Sequence, residues 1–345
     1  MDIYFTFSGN RYRSNHYFYV ITSNSFLNFI RDIIYSAVAN GANLNRLCQA
    51  IAIRPEWLQE QKTYDVETVQ LLWQAAIEET EDPLIGLHIG EKANFESIGI
   101  VGFTLQNSLN LSTALERGVY YNNLYSSMVA ISLQKEPGMI KVTFAPTQLF
   151  LASFPLAARQ SVESSMSFVV TALRKLSGKN ISPLLVNFGF STPLALYLKE
   201  YEKLFNSKIV FREAQNSLLF LAQDLQAGVL SYNKDLFNVL DQQAEKLLKA
   251  YENKLTYKEK VKHSAVGLLE GKYLSVEQVA SQLHLSVRTL QRKLKEEGSS
   301  FLQIIDELHK ELAIGYLNEN KLSVSEIAYL LGYAEAGVFT RAFKR

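Results

Sequence analysis

Apolar side chains between residues 26 and 37 recur at three- and four-residue intervals: Phe26, Phe29, Ile30, Ile33, Ile34 and Ala37. That is the period of one helix face, and Asn40-Gly41-Ala42 follows as a stop signal. Leu44 to Ile51 repeats the pattern, as does Val66 to Ile77 through Val69, Leu72, Trp73 and Ala76. A further helix is expected from Leu111 to Tyr125, with Ser112 as its cap. The texture then changes. Met128 to Leu133 and Met139 to Phe144 are β-prone runs flanking Pro137-Gly138, which signals a hairpin. Leu184 to Phe190, Lys208 to Phe211 and Leu218 to Leu221 read as short strands, while Leu156 to Leu176 is helical by pattern.

Strands set among helices in this order predict an α+β domain over residues 1–225. Residues 226–256 follow as a helical linker and candidate dimerisation segment, in which Leu236, Val239, Leu240, Ala244, Leu247 and Leu248 form one apolar stripe. That stripe serves equally as a dimer seam or as packing within its own domain. The charged, tyrosine-rich stretch after Lys249 marks a boundary, and residues 257–345 are helical throughout.

Two helix–turn–helix patterns occupy this last segment. In the first, Ser275 and Gln278 have the spacing of a capping box, and Val276, Val279, Ala280 and Leu283 face inward. His284-Leu285 makes the turn and Ser286 caps the next helix. There Val287, Leu290 and Leu294 share one face, and Arg288, Gln291, Arg292 and Lys295 the opposite one, with Thr289 in the first turn. No acid occurs from 287 to 295. Such a face suits a groove lined with phosphates: Arg pairs with guanine, Gln with adenine, and Lys neutralises backbone charge. Taken alone, a basic helix is more often a solvated surface. Here the caps, the short turn and a second unit argue for DNA.

In the second unit Ile327, Ala328 and Leu331 face inward and Gly332 takes the turn. Its reading helix turns Phe339 and Phe343 inward and leaves Val338, Thr340 and Arg341 toward the groove. Phe301 to Asn318 forms a long connecting helix with Ile304, Ile305, Leu308, Leu312, Ala313 and Leu317 buried.

Composition narrows the alternatives. Charged residues make up 20% and the net charge is +1, so any affinity for nucleic acid must come from a local basic face. Cys48 is the only cysteine, and the five histidines show no ligand spacing, so neither metal nor cofactor is expected. No phosphate loop or nucleophile elbow occurs, and the chain is not expected to be an enzyme. The first twenty residues, with Arg11, Arg13 and His16 among their aromatics, lack a signal-peptide core, and no run is long enough to span a membrane. A cytoplasmic location follows as an expectation.

The stretches LSVRTLQRKLKEEGSSF, ELAIGYL, SVSEIAYLLGY and FTRAFKR closely resemble the AraC/XylS family of bacterial transcription regulators. Upstream, Gly99-Ile100-Val101-Gly102, NSLNLSTALERGVYY and LDQQAEKLL are similar to the subgroup with an arabinose-binding-type amino-terminal domain, to which an ornithine-utilisation regulator belongs. The resemblance implies double-stranded operator DNA, a small-molecule effector and RNA polymerase as partners, and an α+β effector domain joined to an all-α DNA-binding domain. It assigns base contacts to Arg288, Gln291 and Arg292, then to the Ala336–Val338 stretch, Thr340 and Arg341. His309 stands where the family carries an arginine, and Ala336-Gly337 where it has proline and serine. The family continues past FKR with a further helix that packs beneath the second unit, so this unit is expected to read DNA more weakly than the first.

The 20 Phe and 18 Tyr lie mostly before residue 260. Tyr120, Tyr121 and Tyr125, with Phe144, Phe150, Phe154 and Phe168, are candidate lining for an effector pocket, though for any one of them ordinary core packing is the commoner role. Arg159 is the candidate anchor for an anionic effector, with Glu163 at i+4 as its bland partner. The alternative to effector control is a constitutive, partner-recruiting DNA binder.

Overall fold

The computed structural model describes residues 24–59, 66–92, 94–126, 128–268, 274–319, 323–333 and 335–343. The amino-terminal stretch weighed as a signal peptide and the side chains of Phe26, Phe29 and His263 lie outside what is described.

Helices α1 (Asn24–Ala39), α2 (Leu44–Ala50) and α3 (Val66–Thr80) follow the periodic segments. Helices α4 (Ile85–Glu91), α5 (Ile100–Gln106) and α6 (Leu111–Tyr120) come next. The hairpin is β1 (Val129–Glu136) and β2 (Met139–Pro146), closed by Pro137-Gly138, where Gly138 takes φ +75°. Proline before a positive-φ glycine is the residue order such a turn favours. Beyond it lie α7 (Gln148–Ser153), α8 (Pro155–Ser177), β3 (Leu185–Phe188), α9 (Ala195–Phe205), β4 (Lys208–Phe211), β5 (Asn216–Leu221) and α10 (Lys234–Lys254).

The sheet order is β1-β2-β5-β3-β4. Only β3 and β4 run parallel, joined through the crossover helix α9. Alternate residues Val142 and Phe144, Val186 and Phe188, and Leu218 and Phe220 are buried, in a core shared with Val162, Met166, Val170 and Leu173 of α8. The first turns of α8 serve a second core. Ala157 and Ala158 pack there with Ile30, Ile34, Leu47, Leu72 and Trp73 from α1, α2 and α3.

Helix α4 crosses α8 at very close range. A Cβ on Gly86 would overlap the Gln160 carbonyl oxygen, and one on Gly90 the Ser164 carbonyl oxygen. The polar face that α8 buries here is bonded to its neighbours. The Gln160 side chain accepts from Gly86 N (2.7 Å) and donates to Pro83 O (2.9 Å). Ser167 donates to Leu87 O at 2.7 Å, and Trp73 Nε1 donates to Ser161 Oγ at 3.1 Å. These partners replace water for groups that would otherwise be costly to bury.

After α10 every described element is helical: α11 (Tyr257–Leu268), α12 (Val276–Gln282), α13 (Val287–Glu296), α14 (Phe301–Glu319), α15 (Val324–Leu330) and α16 (Ala336–Phe343). Their core gathers Val261, Val279, Ala280, Leu290, Leu294, Ile304, Leu308, Leu312, Ile327, Leu331 and Phe339. Helix α7 packs against α14, joining the two halves. No described helix is long and apolar enough to cross a membrane.

Several expectations are corrected. The cap of α6 is Asn110, which accepts from Thr113 N at 2.9 Å, while Ser112 donates to Glu116. The helix stops at Tyr120 and a 3-10 turn over Asn122–Leu124 follows. The apolar stripe of α10 divides: Ala244 and Leu248 enter the amino-terminal core, whereas Leu236, Val239 and Leu247 face outward. A helix resting on one side of a domain buries only one arc of its surface, and the stripe is wider than that arc. Phe343 remains 36% exposed, against 4% for Phe339, because nothing described packs over the last turn. Leu317 is half-buried.

Gly90→Ala is expected to destabilise the fold by about 1–3 kcal/mol, the usual cost of overpacking. A denaturant midpoint equal to that of the parent protein would contradict the close crossing.

Asp82 lies just before α4, and His88 lies within it. Asp82 accepts from Leu84 N at 2.9 Å and contacts His88 Nδ1 at 2.6 Å. That hydrogen bond raises the His88 pKa above the usual histidine value. Burial pushes Asp82 upward, but the His88 bond, the Leu84 backbone N–H and the charges of His88 and Lys92 together more than offset this, and the carboxyl ends below its usual range. The His88 contribution is therefore complete at low pH and lost as pH rises through its folded pKa. The Asp82 contribution is present above the usual carboxylate range and lost on acidification through the lowered value. Stability from this pair should peak between the two. Asp82→Asn should flatten the profile of unfolding midpoint measured over about pH 4–8, and an unchanged profile would refute the coupling.

Candidate nucleic-acid interface and ligand cavity

The first helix–turn–helix is α12 and α13. Ser275 accepts from Gln278 N (3.3 Å), and the Gln278 side chain accepts from Ser275 N (3.0 Å), completing a capping box. His284 takes φ +54°, and Leu285 N donates back to Ala280 O at 2.8 Å. Ser286 then accepts from Thr289 N at 3.1 Å and starts α13. Leu290 and Leu294 are buried, which turns Arg288, Gln291, Arg292 and Lys295 into solvent on one face. Arg292 is 65% exposed and lies 3.5 Å from Glu296, a weak surface pair in water. Thr289 is half-buried, its hydroxyl 2.8 Å from that of Ser286. Glu297 accepts from the backbone N of Tyr257 (2.7 Å) and Lys258 (2.9 Å), and so ties the far end of α13 to the start of α11.

The second unit, α15 and α16, repeats the construction. Ser323 and Glu326 form its capping box, Gly332 takes φ +76°, and Tyr333 N donates to Ala328 O at 2.9 Å. Val338 is 41% exposed and Arg341 faces solvent. Thr340 donates to Ala336 O at 2.8 Å, which leaves its oxygen as an acceptor only. Gly337 is exposed, with open space where a side chain would begin. His309 on α14 is not a basic contact here. Burial lowers its pKa, and its ring lies 5.3 Å from Tyr333, bracing the turn of the second unit.

The sequence-predicted effector residues do not converge. Tyr120 donates to Glu245 at 3.0 Å and Tyr121 to Asp241 at 2.8 Å, so both bind α6 to α10. Arg159 is spoken for by its own domain. It reaches Glu163 at 2.9 Å and Tyr201 at 3.2 Å, with its guanidinium 4.6 Å from the Phe190 ring centre. Tyr201 also donates to the wholly buried Glu163, whose carboxyl is pushed upward by burial despite the arginine. Phe144 and Phe150 are core.

Tyr125 and Phe168 do meet at a cavity. It lies between α5, α6, β1 and α8, has a volume of about 110 Å³ and opens partly to solvent. Its walls include Ile98, Leu105, Leu115, Val119, Ile131 and Leu173. Sequence reasoning missed these because aliphatic residues at helical spacing carry no mark that separates a cavity wall from a core.

The sequence profile described as the arabinose-binding domain of AraC transcription regulators, N-terminal, matches residues 41–229. The chain belongs to the AraC family of transcription regulators. A second profile, a helix-turn-helix domain, matches residues 279–345. The Ornithine utilization regulator of Pseudomonas aeruginosa is 25% identical over 332 residues, covering 92% of this chain and 95% of that protein. An uncharacterized HTH-type transcriptional regulator of Mycobacterium tuberculosis is 23% identical over 271 residues, 77% of this chain and 76% of the other. The HTH-type regulator VqsM of P. aeruginosa shares 38% identity over 73 residues, 21% of this chain and 22% of its own. The solved structure of the transcriptional regulator CdpR from P. aeruginosa covers 87% of this chain and 93% of its own at 20% identity, with a TM-score of 0.40. The chain is thus an AraC-type DNA-binding transcription regulator, not an enzyme, with an arabinose-binding-like α+β domain ahead of its helix–turn–helix region.

Proposed function

We propose that this AraC-type regulator is controlled by a small molecule held in the amino-terminal cavity. The observation that carries the reading is the packing of α7 against α14. Helix α7 runs through Phe154 directly into α8, and α8 supplies Ser164, Ser165, Phe168, Val169, Ala172, Leu173 and Leu176 to the cavity. The cavity wall and the helix connecting the two reading heads are therefore separated by one short element. A ligand that binds one arrangement of α7 and α14 more tightly than another shifts the population between them.

In the DNA complex, Arg288, Gln291 and Arg292 read base edges, Lys295 neutralises phosphate, and Thr289 contacts the backbone near the start of α13. In the second unit Val338 meets a thymine methyl, and Thr340 and Arg341 supply polar contacts. A second copy of the chain is proposed on the outward face of α10, where Leu236, Val239 and Leu247 are exposed. The division between effector and DNA-binding parts is drawn between α10 and α11. The ornithine in the relative's name finds no charged partner among the described residues lining this cavity.

Arg292→Ala should cost about 1–3 kcal/mol on operator DNA and far less on random DNA. Equal losses on both would remove the base-reading role. Lys295→Ala should weaken both and lower the slope of log affinity against log salt by about one; fluorescence anisotropy over a salt series reads this directly.

Effector control predicts that a ligand raising the melting temperature of the full chain changes operator affinity by roughly 5–150-fold. Ligand binding with operator affinity unchanged would leave a DNA binder without this control.

A further inference from the structure

We infer that the cavity takes an uncharged, mainly hydrocarbon molecule bearing one hydrogen-bonding group, seated against Ser164. This rests on the proposed role of the cavity and names the chemical class that it admits. Among the described residues, no Asp, Glu, Lys, Arg or His lines it. The nearby charges on α8 are committed elsewhere. Arg174 donates to the carbonyls of Ile181, Leu204 and Phe205; Glu163 is held through Oε1 by Arg159 and Tyr201, its buried Oε2 has no partner among the described residues, and it does not line the cavity. A carboxylate or ammonium entering the cavity would lose its water without gaining a counter-charge, which is strongly unfavourable.

The polar atoms of the wall are nearly all in use. Tyr125 donates to Gly118 O at 2.9 Å, Ser165 to Ser161 O at 2.8 Å, and Ser97 to Asn94 O at 2.7 Å. Ser126 makes a long contact to Val129 O at 3.4 Å. Ser164 differs. It is 9% exposed, lines the cavity, and its hydroxyl has no partner among the described residues. That hydroxyl is reachable from the cavity, where a ligand hydroxyl, ketone or amide would bond to it in place of water. Apolar walls with one convergent polar group thus select a hydrocarbon body with a neutral polar end.

The test uses the full-length protein with three probes: 1-decanol, butylbenzene and L-ornithine. Thermal melting and calorimetry should show decanol and butylbenzene binding competitively and ornithine not binding. Gly118→Leu fills the cavity. A Cβ there meets only Leu105, at 3.7 Å, and a helical glycine is replaced by a strong helix former, so folding is preserved. This variant should lose at least tenfold in decanol affinity while melting no lower than the parent. Ser164→Ala should weaken decanol about tenfold and leave butylbenzene unchanged.

Ornithine binding abolished by Gly118→Leu would overturn the inference, as would decanol binding that this variant does not affect. Equal weakening of decanol and butylbenzene by Ser164→Ala would overturn the hydrogen bond. If decanol behaves as expected and operator affinity does not respond, the ligand class stands and effector control falls. If ornithine changes operator affinity while decanol fails to bind, the ligand class falls and effector control stands.

Discussion

The near-contact of two helix backbones, α4 against α8, governs how the amino-terminal domain is built. Helix α8 belongs to two cores at once: its first turns pack with α1 and α3, and its later turns lie on the sheet. A helix in that position must be held on a third side without being forced away from either core. Gly86 and Gly90 allow this by removing the side chains that would keep the helices apart. Gln160, Ser161 and Ser167 then exchange hydrogen bonds with α3, α4 and the turn before it. Buried polar residues on a central helix look unfavourable until their partners are named. Here they set the register of the crossing, which greasy side chains alone would leave free to slide.

The two reading heads share one backbone design and differ in chemistry. Each begins with a capping box, and each turn closes with a hydrogen bond from the residue after a positive-φ position. That position is His284 in one and Gly332 in the other. The electrostatics then diverge: α13 presents Arg288, Arg292 and Lys295, whereas α16 exposes Arg341 among small and apolar residues. For a chain with net charge +1, this concentrates the positive field on the first head.

What was legible in the sequence follows the strength of the local signal. The hairpin was readable because Pro137-Gly138 admits few conformations, and the helix–turn–helix units because caps, turn and inward positions must all agree. Helix α9 was hidden between strand signals, and its role as crossover for the parallel pair β3 and β4 is a tertiary fact. Helices α4, α5 and α7 are only six or seven residues long, too short to show a period. The cavity was the least legible part. Aromatic clusters drew attention to Tyr120 and Tyr121, whose hydroxyls in fact bind α10, and Arg159 proved to serve the interior of its own domain. Tyr125 and Phe168 alone pointed to the cavity, whose described walls are otherwise mostly plain aliphatics and small residues.

Those plain walls have a consequence for discrimination. A surface made of Leu, Ile, Val and Phe tells molecules apart by how much volume they fill, and each methylene moved out of water is worth about 0.8 kcal/mol, roughly fourfold in affinity. Neighbouring members of a homologous series are therefore separated by small, regular steps rather than by acceptance and refusal. Under the proposed effector control, such a surface would grade its ligands by chain length, each added methylene multiplying affinity by a similar factor.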